Sequence, residues 1–264
     1  MKRHLTYLLS GIVCVAMSLS AGAQQRNANQ LMVNYAVDFI DRPYVAGTLE
    51  VGDDQNELIM NCDEVDCTTL VEYVTAMTLA TQADGSLSER DFMTCLQRVR
   101  YRDGKMEGYP SRLHYFSDWI YNGIRGGYLE DITRLNTNAK MTLQLGYMTA
   151  HTDQYPQLAS SPSNVEAIKK VEQSLSGEQV AYLPTDDLPE EGWQWIKAGD
   201  IIAFTTSTEG LDVAHVGIAF YVDGRLGLLH ASRTNGKVEV ADSSVKRLIK
   251  QNKRWTGIRV LRVK

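Results

Sequence analysis

The sequence lacks several features that would assign a function class at once. Beyond its first 23 residues, no apolar run approaches the length that crosses a bilayer. It contains no repeats, no low-complexity tract and no linker rich in proline, glycine or serine. It also lacks a Gly-x-Ser-x-Gly nucleophile motif, a phosphate-binding glycine loop and a His-Glu-x-x-His zinc motif. One compact domain without a stable membrane span is therefore expected.

The first 23 residues have the pattern of an export signal. Lys2 and Arg3 give a positive start, an apolar stretch follows, and the small residues 21–23 suit cleavage. Cleavage there predicts a mature chain of 24–264 that is periplasmic or extracellular. A lipid-modified Cys14 is disfavoured because Val13 stands where that processing requires a small residue.

An excess of basic charge is also missing. Loss of Lys2 and Arg3 with the signal leaves 25 basic against 32 acidic side chains, a net charge of −7. A nucleic-acid backbone requires a basic footprint on its protein partner, so no nucleic-acid partner is expected. The basic cluster at 246–254 is interpreted as a solvated face.

Cysteine is scarce, and three cysteines follow the signal: Cys62, Cys67 and Cys95. An odd number in an exported chain leaves at least one thiol free or bonded between chains. A bridge between Cys62 and Cys95 would leave Cys67 as the reactive thiol, although small buried apolar cysteines are an equally good interpretation of the other two. A zinc site is disfavoured because no second close pair of cysteine or histidine completes one.

Cys67 stands at the head of an amphipathic helix. The apolar residues after it recur at helical spacing: Leu70, Val71, Val74 and Met77. Backbone N–H groups and the dipole at a helix N-terminus favour a thiolate. The carboxylates at 63, 64 and 66 would oppose this if they approached the sulfur, and are expected to face away or to cap the helix.

A histidine in a predicted strand supplies the matching base. Alternation along 214–221 places His215 on one face with Gly217. If Asp223-Gly224 forms a two-residue hairpin turn, Gly217 lies opposite His230. The side chain of His230 is then within diagonal reach of the side chain of His215. The pattern predicts Cys67 as nucleophile, His215 as base and His230 as the group that orients the base.

The rest of the pattern predicts an α+β protein. Helical spacing is found at 27–40, 88–98, 115–123 and 165–175, besides the cysteine helix. Strands are expected at 200–205, 214–221, 226–231, 237–241 and 257–263. The mixed segment 86–195 is interpreted as an elaboration around the cleft.

Five segments occur in an order typical of one superfamily: Pro43-Tyr44-Val45-Ala46-Gly47, Asp66-Cys67-Thr68-Thr69-Leu70-Val71, Lys197-Ala198-Gly199-Asp200-Ile201-Ile202, Ala214-His215-Val216-Gly217-Ile218 and Leu229-His230-Ala231-Ser232. They resemble the motifs of the NlpC-type cell-wall cysteine hydrolases. The segments 109–120 and 147–151 resemble the N-acetylmuramoyl-L-alanine amidase-like branch, once catalogued as a domain of unknown function. The resemblance covers essentially the whole mature chain.

The resemblance implies a papain-like α+β fold, with N-terminal helices packed on a C-terminal antiparallel sheet. It implies the same three catalytic residues, Cys67, His215 and His230, with no cofactor and no metal. Tyr44 matches a tyrosine that lines the cleft. Arg112, His114 and Tyr115 lie in the branch's own motif and are expected to contact the sugar or the stem peptide.

Two departures from the superfamily pattern stand out. The usual Asp-Cys-Ser-Gly is replaced by Asp66-Cys67-Thr68-Thr69, which is expected to affect the packing behind the sulfur. The two histidines are 15 residues apart, further than is common, which bears on the identity of the third catalytic member.

We therefore expect an exported cysteine amidase that cuts the amide between N-acetylmuramic acid, reducing or anhydro, and L-alanine. The expected partners are peptidoglycan or muropeptide fragments, without an obligate protein partner. One alternative is an endopeptidase that cuts between D-glutamate and the diamino acid of the stem peptide. Another is a non-catalytic wall-binding protein on the same fold.

Overall fold

The computed structural model describes residues 27–50 and 57–264. The predicted export signal lies outside the described residues. The α-helices are α1 (Ala28–Val37), α2 (Cys67–Ala80), α3 (Glu89–Arg100), α4 (Phe116–Arg125), α5 (Ile132–Asn136), α6 (Tyr147–Ala150), α7 (Pro156–Ala159), α8 (Pro162–Leu175) and α9 (Val245–Gln251). The strands are β1 (Leu129–Asp131), β2 (Lys140–Thr142), β3 (Gln179–Ala181), β4 (Leu183–Pro184), β5 (Ile201–Thr206), β6 (Val213–Val222), β7 (Arg225–Ser232), β8 (Lys237–Val240) and β9 (Trp255–Val263).

The sheet that carries both candidate histidines is antiparallel. Its strand order is β1-β9-β5-β6-β7-β8, and β4 also pairs with β9. The strands β2 and β3 form a separate antiparallel pair. The α+β class and the five longest strands agree with the sequence prediction to within about two residues at each end. The described residues include no helix with the length and apolarity that a bilayer crossing requires.

The β6–β7 hairpin has the predicted two-residue turn. Asp223 and Gly224 have φ of 50° and 75°, the left-handed conformation that such a turn requires at both positions. The ladder pairs Val222 with Arg225 and Ile218 with Leu229. Because the side-chain period of a strand is two, this register decides which residues of β6 and β7 share a face.

Apolar residues cover both faces of the central strands. Toward α1 and α2, Val216, Ile218 and Leu229 join one core cluster. Toward α5 and α9, Phe204, Ala219 and Leu228 join a second cluster. All residues of β5 are buried, and each large apolar side chain there contributes roughly 1.5–3 kcal/mol through burial. The sheet therefore holds β6 rigidly between two packed layers.

Helix α2 is anchored at both ends and from one side. Its N-cap Asp66 and Thr69 form a capping box, and it ends where Thr81 donates its backbone N–H to the Met77 carbonyl. The buried Glu72 carboxylate lies 2.7 Å from Nε of Arg100 on α3. Removing one partner of such a pair would leave a buried unpaired charge, which costs about 3–5 kcal/mol. This pair fixes the helix that carries Cys67.

A third apolar cluster belongs to the elaboration. It contains Tyr109, Tyr115, Met148, Leu158 and Ile168, with the partly buried Leu211 from the segment just before β6 packed against it. The elaboration is thus joined to the chain segment that leads directly into the strand of His215.

Candidate active site

The Cys67 thiol lies against the backbone of β6. It is the first residue of α2, and its sulfur receives hydrogen bonds from the backbone N–H groups of Val216 and Thr68 and from the Thr68 hydroxyl. Val216 follows His215 directly in the chain. The fold therefore places the sulfur at the position in the strand where the candidate base is attached, and the side chain keeps part of its surface exposed to solvent.

The two threonines after Cys67 have separate roles. The Thr68 hydroxyl contacts the sulfur, as a serine at this position would be able to do. Thr69 turns away from the sulfur and closes the capping box, since its Oγ1 accepts from the Asp66 N–H at 2.8 Å while its own N–H donates to the Asp66 carboxylate at 2.8 Å. The departure from the superfamily pattern therefore strengthens the helix start instead of crowding the thiol.

The two histidines are in direct contact. Nε2 of His215 and Nδ1 of His230 are 2.8 Å apart, with the rings nearly perpendicular at 86°. Continuing the ladder pairs Gly217 with His230, as the two-residue turn predicts. A Cβ on Gly217 would lie 2.8 Å from the Leu228 side chain and 2.9 Å from the Leu229 carbonyl oxygen, so this position requires glycine.

One ring nitrogen of His215 is left available. Nε2 is engaged by His230, and in the part of the chain that the structure describes Nδ1 has no protein hydrogen-bond partner. Nδ1 is therefore the nitrogen that can take a proton from a nucleophile.

Aromatic rings hold the imidazole of His215 from the side. The Trp255 ring is stacked on it with centroids 5.6 Å apart and an interplanar angle of 8°. Phe204, the partner of His215 in the β5–β6 ladder, packs at 5.7 Å. Trp255 was not predicted from the sequence, because only the placement of β9 beside β5 brings it to the histidine.

Burial favours the neutral forms of the His215 imidazole and the Cys67 thiol. It lowers the pKa of His215 to about 3, and the neighbouring His230 adds to the effect. It raises the pKa of the Cys67 thiol to about 12, Asp66 acting in the same direction and the hydrogen bonds to the sulfur against it. The prediction that the helix N-terminus favours a thiolate is therefore wrong for Cys67, because desolvation of the buried sulfur is the larger effect.

The other cysteines do not form the bridge considered above. Cys62, Cys67 and Cys95 are all free thiols. Burial raises the pKa of Cys62 to about 11. Within residues 27–50 and 57–264 there is no group of His, Cys, Asp or Glu arranged to hold a metal ion.

Tyr44 borders the thiol. It forms an isolated parallel bridge with Val65, two residues before Cys67. Burial raises the pKa of its phenol, and the charges of Cys67 and Asp66 raise it further. A neutral phenol with a hydroxyl able to donate a hydrogen bond thus stands within electrostatic reach of the sulfur.

Arg112 and His114 form a second polar group with Tyr109. Arg112 is 6% exposed, is paired with Glu50 and lies over the Tyr109 ring at 5.2 Å. The His114 ring packs on Tyr109 at 4.3 Å and its Nε2 is 2.9 Å from the Tyr109 carbonyl oxygen. Burial, with the charge of Arg112, holds the pKa of His114 well below its usual range. Among the described residues, the buried Tyr109 hydroxyl and one buried oxygen of Glu50 have no hydrogen-bond partner of normal geometry, although the Arg112 guanidinium lies close enough to act on the Tyr109 hydroxyl.

Tyr115 is placed in the interior. It is 2% exposed, and its hydroxyl donates to Glu172 at 2.7 Å while accepting from the Met148 N–H at 3.0 Å. The hydroxyl thus joins the two helices, because it donates to α8 and accepts from α6. This placement gives Tyr115 a structural role, and its contact with substrate stays a prediction.

Asp212 was not predicted and supports the strand of His215. Its carboxylate accepts the Ser117 backbone N–H at 2.6 Å, at the start of α4. The N-cap residue of α4, Tyr115, makes no side-chain cap bond, so Asp212 serves as the cap from a distant part of the chain. The Ser117 hydroxyl also accepts from Arg259 at 3.2 Å. Nothing in the local sequence distinguishes this aspartate from a loop residue.

Known proteins resemble this chain along most of its length. A crystal structure of an N-acetylmuramoyl-L-alanine amidase from Bacteroides uniformis ATCC 8492 is 55% identical, with a TM-score of 0.86, over 88% of this chain and 98% of its own. A Bacteroides fragilis structure provisionally named a xylanase is 53% identical, with a TM-score of 0.85, over 87% and 99%. A Legionella pneumophila protein of the DUF1460 family, 22% identical with a TM-score of 0.67 over 89% of each chain, is similar in fold alone.

A family model agrees with the first of these similarities. No curated protein matches the chain. The model that does match is that of the AmiA-like, N-acetylmuramoyl-L-alanine amidase-like proteins, and it matches residues 34–258. This range includes Cys67, both contacting histidines and the elaboration. The chain belongs to the N-acetylmuramoyl-L-alanine amidase-like family.

Proposed function

We propose that the protein is an exported cysteine amidase that hydrolyses the amide between the lactyl group of N-acetylmuramic acid and L-alanine. Its substrate is peptidoglycan or muropeptide fragments. Family membership and an amidase-named relative at 55% identity support a cell-wall amidase. One observation supports Cys67 and His215 as the catalytic residues. The Cys67 sulfur accepts a hydrogen bond from the N–H of Val216, the residue after His215, and His215 is itself paired with His230.

The fold that we propose is papain-like, in a single domain of 24–264. The helix headed by the cysteine packs against the antiparallel strands β6 and β7, which carry the two histidines. The segment 86–195 is the family-specific elaboration, and its aromatic cluster packs on the segment that leads into β6.

The reaction begins with transfer of the thiol proton. Nδ1 of His215 takes the proton from Cys67 as the sulfur attacks the lactyl carbonyl carbon. The C–S bond forms, and the carbonyl π electrons move to oxygen. The backbone N–H groups at the start of α2, including that of Cys67, are the candidate donors to this oxyanion. Because both groups are neutral at rest, charge develops only as the transition state is reached, where these donors act.

The second half releases both products. The imidazolium of His215 gives its proton to the nitrogen of L-alanine, the C–N bond breaks, and the stem peptide leaves as an amine. The sugar remains as a thioester on Cys67. Water, deprotonated by His215, then attacks the thioester carbonyl, and the thiol is restored with a free muramic-acid carboxylate.

Arg112 and His114 are the proposed contacts to the substrate, with Tyr44 beside the reacting bond. Arg112 offers a cation from a nearly buried position, and the neutral His114 offers a ring face and a nitrogen. Within the part of the chain that the structure describes, the buried Tyr109 hydroxyl and one oxygen of Glu50 lack a hydrogen bond of normal geometry, and a bound polar ligand would supply one.

Mass spectrometry of muropeptides after digestion tests this function. The wild-type protein is expected to release an intact stem peptide and a sugar without amino acids. Cys67→Ala is expected to reduce the rate by a factor on the order of 10⁴. The matched control is Cys95→Ala, which removes a free thiol on α3 and is expected to keep the full rate.

Three results would overturn the proposal. A sugar that retains L-alanine and D-glutamate would identify the endopeptidase instead. Equal hydrolysis by the wild type and Cys67→Ala, or binding of wall material without any cleavage by the wild type, would exclude cysteine catalysis.

A further inference from the structure

A carboxylate lies directly behind His230. Glu239 on β8 is the ladder partner of His230 on β7, and its Oε1 is 4.0 Å from His230 Nε2. Both side chains are mostly shielded, at 11% and 19% exposure. His230 therefore lies between His215, on its Nδ1 side, and a carboxylate, on its Nε2 side.

The position of this carboxylate is fixed by the β7–β8 turn. Asn235 Nδ2 donates to Glu239 Oε1 at 2.6 Å. Asn235 is itself held by its backbone N–H, which donates to the Ser232 hydroxyl at 3.2 Å. Gly236, at φ of 71°, closes the turn by donating its N–H to the Ser232 carbonyl at 2.8 Å. Because Asn235 donates to Oε1, the Glu239 carboxylate is held close to His230.

The other charged groups near Glu239 have partners of their own. Lys237, on the same strand, is within electrostatic reach of Glu239, but its ammonium lies 2.7 Å from the Asp41 carboxylate. On the far side of His230 the adjacent titratable group is His215. The carboxylate and the two imidazoles thus form one row: Glu239, His230, His215.

We propose that Glu239 is a positioning residue that fixes the tautomers of both histidines for the amidase reaction. A carboxylate beside Nε2 of His230 favours the tautomer with the proton on that nitrogen. Nδ1 of His230 is then an acceptor, so the proton shared with His215 belongs to Nε2 of His215. This leaves the lone pair of His215 on Nδ1, the atom that takes the thiol proton.

The same row stabilises the charge that forms during the reaction. When the Cys67 proton arrives at Nδ1, His215 becomes an imidazolium whose Nε2–H points at His230. The negative charge of Glu239 at the other end of the row favours this cation without accepting a proton itself. This role depends on the proposed function, whereas the tautomers themselves can be observed without a substrate.

Nitrogen NMR of histidine-labelled protein tests the inference. In the wild type we expect His230 to carry its proton on Nε2 and His215 likewise. Glu239→Gln keeps the shape and removes the charge, so the tautomers should become mixed, with kcat lowered about tenfold and KM unchanged. Asp41→Asn, which neutralises a carboxylate paired with the same strand, is the matched control and should leave both tautomers and kcat unchanged.

Each outcome separates this inference from the proposed function. A wild-type His230 protonated on Nδ1, or a Glu239→Gln variant with unchanged tautomers and kcat, would overturn the role of Glu239 even if muropeptides are cleaved. Absence of cleavage by the wild type would refute the amidase but would leave the tautomer result standing. If Glu239→Gln does not fold, Asn235→Ala releases the carboxylate without altering β8 and should mix the tautomers in the same way.

Discussion

At the scale of single residues, desolvation dominates the chemistry of Cys67 and His215. The sulfur has hydrogen bonds from two N–H groups and one hydroxyl, yet burial raises its pKa to about 12. The imidazole has a histidine partner, yet burial lowers its pKa to about 3. A neutral thiol is a weaker nucleophile than a thiolate, so we expect Cys67 to react slowly with electrophiles near neutral pH.

The neutral thiol predicts a particular pH profile for alkylation of Cys67. A raised pKa means that the thiolate fraction is small at pH 7 and grows about tenfold for each unit of rising pH below the pKa. Labelling with iodoacetamide, followed by peptide mass spectrometry at Cys67, should therefore accelerate steadily from pH 6 to pH 10. A rate that is already constant between pH 5 and pH 8 would show a preformed thiolate and contradict the account.

The sequence pattern points to the proposed catalytic residues but not to the residues that pack around them. Cys67 and His215 lie in local patterns, a helix start and an alternating strand, and the Asp223-Gly224 turn led from His215 to His230. Trp255 and Asp212 carry no local pattern, because their roles arise from strands and helices that meet only in the folded chain. The interior position of Tyr115 could not be foreseen, since Glu172, its partner, is 57 residues away.

At the scale of elements, the N-cap of α2 connects helix stability to thiol chemistry. Asp66 caps the helix through Thr69, and its charge raises the pKa of Cys67. Asp66→Asn should keep the cap, because asparagine is an equally good N-cap residue, whereas Asp66→Ala should cost about 1 kcal/mol of the free energy of unfolding.

Both Asp66 variants remove the charge, so both should lower the pKa of the thiol. Alkylation of Cys67 at pH 8 should be faster than in the wild type in each, while urea denaturation should separate the two variants in stability. Unchanged alkylation in Asp66→Asn would show that the carboxylate does not act on the sulfur.

The bond between Asp212 and α4 yields a second prediction for an element. Asp212→Ala leaves the Ser117 N–H buried without its acceptor, so we expect a loss of about 1–3 kcal/mol in the free energy of unfolding. Because β6 begins at Val213, this loss should also loosen His215 and lower kcat. Asp212→Asn keeps an acceptor oxygen and should remain close to the wild type.

Urea denaturation and muropeptide kinetics on the same variants check this prediction. Ser117→Ala is the comparison variant, since it keeps the backbone N–H that Asp212 caps and removes the hydroxyl, which bonds to Asp212 and accepts from Arg259. If Asp212→Ala and the wild type have the same free energy of unfolding, Asp212 does not stabilise the start of β6.

Element length explains which parts of the fold could be predicted. The strands β5–β9 and the helices α1–α4 and α8, at four to fourteen residues each, are long enough to be recognised from their apolar residues. The strands β1 to β4 have two or three residues each, and their pairing is distant, as with Leu129 opposite Val263. Helix α9 buries only Val245 and Ile249, so its basic face dominated the sequence pattern at 246–254.

At the scale of the whole molecule, the elaboration packs against the segment that leads into the strand of His215. Arg112 and His114 lie within it, and its aromatic cluster reaches Leu211, four residues before His215. The family match at 34–258 spans this segment as well as the helix and the sheet. The proposed catalytic pair and the proposed substrate contacts thus lie within one family match.

If Cys67 attacks the lactyl carbonyl, it becomes the site of an acyl-enzyme intermediate. Trapping that acyl-enzyme is the sharpest test of the proposed reaction. A reaction with muropeptide is quenched in acid within the first turnover, and the Cys67 peptide is isolated and weighed. The account predicts a thioester that carries the N-acetylmuramoyl group and no amino acid. An adduct that includes L-alanine and D-glutamate would contradict attack on the lactyl carbonyl. An adduct on another residue, or hydrolysis by Cys67→Ala, would contradict catalysis by Cys67.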